Sequence, residues 1–455
     1  MAWGWTELTK PRGAHRFYRV GRSSRSGIAM LMVITSILFM TVMISEIQYS
    51  ATVRLKLAAH QRDEAKAEAL AMSGLQMYQL ILVASKKIGK NPLVAQYLGA
   101  DALWQAVPFI NTGFMRMIFV TGGDMDEVLP EDEVERAQAL DDAGNGKDLL
   151  TEEQRAESRE SSTASSDKSF LDFDGDFYAE VIDEERRINI SLLSAQDTAT
   201  LREKDPVAQR LYAMMSGKDF CNGIEGSLDP LNGSFNTIDL SSENDHDQFF
   251  YEKDIERWDI IANLADWVDA DDMSMALTGG REDSMYENLE DPYLAKNAKF
   301  DSMAEVRLVD GWHDDDIWER YGEYLTIYGA GKVNINTADC VVLRALMTAY
   351  IEPKTPEAIN AALQGVMMQR AQGVPVSNVQ GFVQQLTTYG QGTHPVMQPQ
   401  MRFAVQPGLA QAITTESTVF RVKSVGQVNQ ATVTIEAVLD FTQSNTGKIV
   451  YYKVQ

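Results

Sequence analysis

One run of residues constrains this chain more than any other. Ile28–Ile44, IAMLMVITSILFMTVMI, follows Gly27 and carries no charge, Gly or Pro. As a helix it would reach roughly 25 Å, just short of the hydrocarbon thickness of a bilayer. It is either the apolar region of a secretory signal or a membrane-seated helix, and its flanks separate the two. Upstream, Lys10, Arg12, Arg16, Arg19, Arg22 and Arg25 face only Glu7. Basic flanks stay in the cytoplasm, so the chain is expected to run N-in, C-out. Downstream there is no small-x-small cleavage site; the run passes into Ser45-Glu46-Ile47-Gln48-Tyr49. Apolar residues then recur at Val53, Leu57, Ala58, Ala65, Ala69, Met72, Leu75, Tyr78 and Leu82, mostly three or four apart, which predicts an amphipathic continuation of the same helix. The helix should end near Gly89 or Pro92.

A basic leader, a Gly, an apolar half-helix and an amphipathic continuation resemble the N-terminus of type IV pilins and pseudopilins. The resemblance implies removal of a cytoplasmic leader, residues 1–27, by a prepilin peptidase cutting between Gly27 and Ile28. That family usually has Glu at the fifth mature position, where its carboxylate pairs with a neighbour's N-terminal amine. Here the position is Met32, a departure shared by the K-type minor pseudopilin of type II secretion. An ordinary single-pass anchor is the plain alternative.

At 455 residues the chain has room for two or three domains. With 41 Lys and Arg against 65 Asp and Glu, its formal net charge is −24. That argues against a nucleic-acid partner, which needs concentrated basic residues, and is compatible with divalent cations. Cys221 and Cys340 could form one bridge in an oxidising compartment, but sequence does not give their proximity. Five histidines without an H-x-x-x-H array speak against zinc.

Beyond the long helix, Phe114–Val120 reads as a strand. Asp124–Lys168 is rich in Asp, Glu, Ser and Ala and reads as a mobile acidic insertion. Within it, Asp141, Asn145, Gly146 and Glu152 approach the spacing of an EF-hand loop, but Ala143 and Asp148 depart from it, and a polar linker is the simpler reading. Phe170–Ser191 reads as a hairpin with a polar turn at Asp183–Arg186. A helix is expected over Asp197–Met215, a loop over Cys221–Ser242, and another helix over Glu252–Val268 with Ile255, Trp258, Ile261, Ala262, Leu264 and Ala265 as its apolar stripe.

The end of that helix is the second informative stretch. Asp266, Asp269, Asp271, Asp272, Glu282 and Asp283 crowd one short loop that also holds Gly279 and Gly280. Carboxylates so close raise each other's pKa unless a cation neutralises them. Oxygen ligands on a tightly turning loop suit Ca²⁺. A solvated acidic loop remains open, as does a carboxylate pair for acid–base work, although no His or Arg cluster accompanies it.

Helical segments are expected over Met303–Trp312 and Ile317–Tyr324. Val333 and Ile335 then form a short strand, and Asn336 caps a helix with Asp339 in capping-box position. The order DWVDADD, GGREDSMY, AEVRLV, GKVNINTADCVVLRAL, preceded by RRINIS at Arg186–Ser191, resembles general secretion pathway protein K, the K-type minor pseudopilin. The likeness covers the anchor and most of Arg186–Leu346. It implies a structural, non-enzymatic subunit at the tip of the type II secretion pseudopilus, helping to start assembly for export across the outer membrane. Its implied partners are the I- and J-type minor pseudopilins, the secretion machinery, the prepilin peptidase and the inner membrane, with most of the chain periplasmic. It also implies structural Ca²⁺, for which Asp269, Asp271, Asp272, Glu282 and Asp283 are the candidate ligands.

VNINTA also resembles helix-hairpin-helix modules, which need a Gly-containing hairpin for phosphate; Met347–Pro356 has no Gly. Two alternatives therefore stand beside the main reading: a membrane-anchored helix-hairpin-helix DNA-binding protein and a periplasmic metal-dependent enzyme. Pro356–Gly365 and Val376–Thr387 read as helices and Gly390–Gln400 as a loop. Ser417–Val425, the alternating stretch Ala431–Phe441, and Lys448–Val454 after the turn Ser444–Gly447 read as strands.

The expected fold is α+β: a long N-terminal helix over 28–90, packed on an antiparallel sheet, with a large inserted all-helical domain. The sheet would draw on 91–191, which includes the acidic insertion 124–168, and on C-terminal strands over 416–455. The helical domain would occupy 192–415.

Overall fold

A computed structural model describes residues 24–90, 102–115, 174–195, 197–219, 221, 228–229, 234–235, 244–276, 279–371, 375–392 and 402–455. Leader residues 1–23, the acidic insertion with its EF-hand-like segment, residues 116–120 and residues 393–400 lie outside that set.

The first helix, α1, runs from Ser24 to Gly89. Contacts divide the chain between Asp63 and Glu64, so the two parts are taken separately. In the N-terminal part, Ile28–Ile44 exposes its side chains all round and is long and apolar enough to cross a membrane. Both of its threonine hydroxyls are internally satisfied: Thr35 Oγ1 donates to the Leu31 carbonyl at 3.0 Å and Thr41 Oγ1 to that of Leu38 at 2.8 Å. Polar groups need such partners in hydrocarbon.

The rest of α1 belongs to the body. Ala67, Ala71, Leu75, Tyr78 and Leu82 are buried on one face at helical spacing. They lie on a five-stranded sheet built from β1 (Phe109–Asn111), β2 (Asp176–Asp183), β3 (Val419–Val428), β4 (Ala431–Asp440) and β5 (Lys448–Val454), ordered β1-β2-β3-β4-β5 with every pairing antiparallel. Alternation puts Phe177, Ala179, Val181, Phe420, Val422, Ile435, Ala437 and Leu439 against the helix. The opposite face carries a charge ladder. Glu180, Lys423, Glu436 and Lys453 stand in register across four strands, and alternating charges directly opposite one another favour that register.

Two strand expectations change here. The strand preceding the insertion is Phe109–Asn111, and residues 112–115 are helical. Asn111 Oδ1 accepts the Phe114 N–H at 2.7 Å and so diverts the backbone from extended pairing. Nor is Phe170–Ser191 a hairpin: β2 pairs with β1 and β3, while Ile188–Asn189 pairs in parallel with Leu325–Thr326. The turn between them is buried, with Asp183, Glu184 and Glu185 at 2%, 0% and 5% exposure. Charged side chains there find partners inside the protein, so composition alone gave no warning.

The helical domain is inserted between β2 and β3. The predicted helix Asp197–Met215 is two helices, α2 (Thr198–Glu203) and α3 (Pro206–Met214). They divide where Asp205 precedes Pro206. Asp205 Oδ1 accepts the Val207 and Ala208 N–H groups at 2.9 and 3.0 Å, and Pro at the first helical position needs no N–H partner. The stretch around Glu252–Val268 holds α4 (His246–Lys253) and α5 (Arg257–Asp266), separated by Asp254 in the left-handed region at φ 54°. Then come α6 (Asp315–Tyr321), α7 (Cys340–Tyr350), α8 (Pro356–Ala371) and α9 (Val379–Gly390). One core, running from Ile188 to Ile413, unites them around Leu211, Ile261, Trp312, Tyr321, Leu343 and Leu346. Cys221 and Cys340 form a disulfide within it, with a Cα–Cα distance of 5.5 Å.

The VNINTA segment is a clamp rather than a capping box. α7 begins at Cys340, capped by Asp339, whose side chain pairs with Arg186 instead of the helix. Asn336 Nδ2 donates to the carbonyls of Val376 and Thr415, and its Oδ1 accepts the Val376 N–H. Val333–Asn334 pairs in parallel with Ile413–Thr414, which holds the domain's exit beside its interior.

Candidate metal centre

α5 is amphipathic. Ile260, Ile261, Leu264 and Ala265 are buried, and this burial carries the end of the helix into the domain. Asp266 is buried there, and Asp269 follows three residues on, within reach of the same face. The chain then loops outward and returns. Met273 bridges Arg281, Ser274 N–H donates to the Gly280 carbonyl at 3.0 Å, and Glu282 N–H donates to the Asp272 carbonyl at 3.3 Å. Gly280, at φ 111° with open space where a side chain would stand, makes the return turn. Trp267 lies edge-on to Tyr286 and Tyr293, with centroids at 5.6 and 6.2 Å, so the loop rests on packed rings.

The return carries Glu282 onto the end of α5. One carboxylate oxygen from each of Asp266, Asp269 and Glu282 lies within 4.8 Å of the others. Glu282 is 1% exposed. Neither of its carboxylate oxygens has a hydrogen-bond donor, and neither has Asp269 Oδ1. Asn297 Oδ1 is a further buried oxygen without a donor. The Asn297 Nδ2 meanwhile donates to the Asp271 carbonyl at 2.9 Å and to Asp272 Oδ1 at 3.3 Å. Asp266 is partly satisfied by the Met275 N–H at 3.0 Å and by Ser274 Oγ at 3.0 Å.

The electrostatics follow from this geometry. Burial, then the charges of Asp266, Asp269, Asp271 and Asp272, push the Glu282 carboxyl up to about 8. Burial and the Asp271 and Asp266 charges push Asp269 up to about 7. Burial raises Asp266 to about 6 against its own hydrogen bonds. Each shift reports a site that disfavours its own negative charge. Buried oxygens without donors normally find a partner. Here one positive partner would serve the carboxylate oxygens of the cluster, and an all-oxygen donor set suits a hard cation such as Ca²⁺. The residues present fit that ion.

Of the five candidate ligands, Asp269 and Glu282 enter the cluster. Asp271 Oδ1 accepts the Met273 N–H at 2.9 Å, and Asp272 is held by Asn297. Asp283 is engaged by Arg281 at 3.0 Å and by the Ala295 N–H at 3.0 Å. Asp266, which is not among those five candidates, stands beside them. Its three-residue spacing from Asp269 at a helix end is the signal the sequence offers for it.

Residues 252–330 match the family model of type II secretion system (T2SS), protein K. The match contains α5, the whole acidic loop and α6, so the resemblance to protein K read from the sequence is borne out over this segment. No curated protein matches the chain. Among solved structures, the GspK-GspI-GspJ complex from the enterotoxigenic Escherichia coli type 2 secretion system is similar at 16% identity and a TM-score of 0.39, covering 71% of this chain and 98% of that one.

Proposed function

We propose that this chain is a minor pseudopilin of K type. The observation that carries the reading is the protein K match over residues 252–330. The same chain also has an N-terminal helix long and apolar enough to cross a membrane. On this reading Ile28–Ile44 anchors the subunit in the inner membrane with the basic leader inside and the body in the periplasm. The anchor then serves as an assembly surface beside I- and J-type minor pseudopilins, the set in which the protein of the solved complex occurs. The subunit sits at the tip of the pseudopilus and helps start its assembly. Met32 supports that position: without a carboxylate there, the subunit cannot pair in the usual way with the amine of a neighbour. The role is structural rather than catalytic.

Calcium belongs to the same reading. Asp266, Asp269 and Glu282 would hold it, and when bound it supplies the positive charge that lets the buried Asp266 and Glu282 and the half-buried Asp269 remain ionised. The residues then do the structural work: Glu282 fastens the returning loop to the end of α5, and the Trp267 ring packing excludes water beneath it.

Mass spectrometry of the mature N-terminus after co-expression with a prepilin peptidase tests the assignment. A terminus at Ile28 is expected. An intact leader, or a cut beyond Ile44, would overturn it.

A further inference from the structure

A second concentration of buried charge lies where the helical domain joins the sheet. The chain enters the domain through Asp183-Glu184-Glu185-Arg186-Arg187 and leaves it through Ser417-Thr418. Asp183 Oδ2 accepts Asn334 Nδ2 at 3.2 Å, Thr337 Oγ1 at 2.5 Å and the Ser417 hydroxyl, all from the helical domain and its exit. Its Oδ1 accepts the Glu185 N–H at 2.8 Å. Glu184 reaches the other way, to the Arg421 guanidinium of β3, Arg187 at 3.0 Å and the Thr326 hydroxyl. Glu185 spans the exit: Oε2 accepts the Thr418 N–H at 2.6 Å and Oε1 the Thr418 hydroxyl at 2.8 Å. Three consecutive carboxylates thus tie one turn to both halves of the body.

They differ in compensation. Burial works to raise the Glu184 pKa, but Arg421 and Arg187 prevail and lower it, so Glu184 stays ionised. Glu185 receives neutral donors from Thr418, while the Asp183 charge acts on it from its own turn and Lys86 of α1 is the opposing cation. On the loop side it meets Gly329, where a Cβ would come within 3.3 Å of Glu185 Cγ, so no water-filled gap separates them. The other charges of the joint are engaged elsewhere: Arg186 with Asp339, and Arg421 also with Glu436. Tyr328, pushed up to about 12 mainly by burial, stays neutral.

We propose that Glu185 is a proton-responsive latch between the helical domain and the sheet. Protonated, it donates its O–H to the Thr418 hydroxyl while its other oxygen keeps the Thr418 N–H, and no second negative charge stands beside Asp183; ionised, it accepts both Thr418 donors but buries that charge, which outweighs them and loosens the joint. Burial and the Asp183 charge push its carboxyl up to about 7. A raised carboxyl pKa contributes stability in full below the unfolded value, near ~4.3, and loses it as pH rises through about 7. The tightening therefore operates on the acid side of neutrality. It depends neither on the calcium site nor on the secretion reading.

The test is hydrogen exchange by mass spectrometry on the full-length chain in detergent micelles with excess calcium, corrected for intrinsic rates, at pH 5.5 and 8.5. In peptides spanning 184–192 and 413–421, wild-type protection should fall on the order of tenfold at the higher pH. Glu185→Gln should show equal protection at both. Lys86→Met, which leaves the turn intact, should move the wild-type midpoint upward by removing the opposing cation. Wild-type protection independent of pH, or an unmoved midpoint in Lys86→Met, overturns the proposal, and so does a Glu185→Gln chain that keeps the wild-type pH dependence. Should Glu185→Gln not fold, the Lys86→Met midpoint decides alone.

Discussion

Glu282 is the residue on which the acidic loop turns. It is almost fully buried, both its oxygens lack donors, and burial, then the charges of four other carboxylates, raises its pKa. Without a cation, the folded loop prefers neutral carboxyls. The sign follows: carboxyls raised to about 6, 7 and 8 contribute stability below their unfolded values and lose it as pH rises through those folded values. A bound cation reverses the preference by favouring the ionised forms. The gap in melting temperature between calcium-loaded and EGTA-treated protein should therefore widen from pH 5 to pH 8, as scanning calorimetry would read it. A gap that is absent, or constant with pH, counts against the site. Substitutions then divide the loop. Glu282→Gln should weaken calcium binding by roughly tenfold or more, since ligand charge sets affinity in oxygen sites. Asp271→Asn, whose carboxylate faces the loop's own backbone, should leave it nearly unchanged by titration calorimetry. The crowding of acids was legible in the sequence because charge is written there. Which acids converge was not, because the loop's return bond from Glu282 N–H to Asp272 decides it.

At the scale of elements, the tightest fit is that of α1 on the sheet. A Cβ at Gly426 would lie 2.0 Å from the Ala67 carbonyl oxygen and 2.7 Å from the Ala71 nitrogen, backbone atoms that cannot swing aside. Gly426→Ala must lift the helix off β3 and should destabilise the body by about 1–3 kcal/mol, the usual range for overpacking. Gly381→Ala is its counterpart. In α9 the nearest atoms to a new Cβ are 3.9 Å away, and relief of the glycine's helical penalty should stabilise by about 0.5–1 kcal/mol. Urea midpoints of the two variants should move in opposite directions; like movement would mean that α1 does not rest on the sheet as described. Regular elements were the legible ones. The alternation of β4 and the extent of β5 stand in the sequence because each side chain meets one environment, core or solvent. Breaks inside helical stretches were less visible. Asp205-Pro206 is a boundary signal that the long apolar pattern masked, and Asp254 ends α4 by adopting a left-handed conformation that its type permits but does not announce. The buried turn Asp183–Arg186 reads as solvent-facing for a simple reason: its partners lie up to 237 residues away in the chain.

For the whole molecule, the decisive feature is where the helical domain is inserted. Asp183 at the end of β2 stands directly opposite Phe420 of β3, so entry and exit are antiparallel neighbours. Replacing residues 184–419 with Asn-Gly should close them as a two-residue hairpin. The core of α1 and the sheet, from Ala71 through Leu439, contains no residue of the deleted segment and should still melt cooperatively. Calcium should no longer change that melting, because Asp266, Asp269 and Glu282 leave with the domain. The same variant examines the tip reading. If the helical domain is the bulk that stops further subunits from adding, pseudopili assembled with the hairpin-closed chain should be longer than those with the wild type by electron microscopy, and the variant should crosslink to subunits on both sides. Equal lengths, with the variant found only at fibre ends, would remove the capping role from the helical domain and leave it to the anchor. There Met32, in place of the usual fifth-position Glu, would then have to account for the end position by itself.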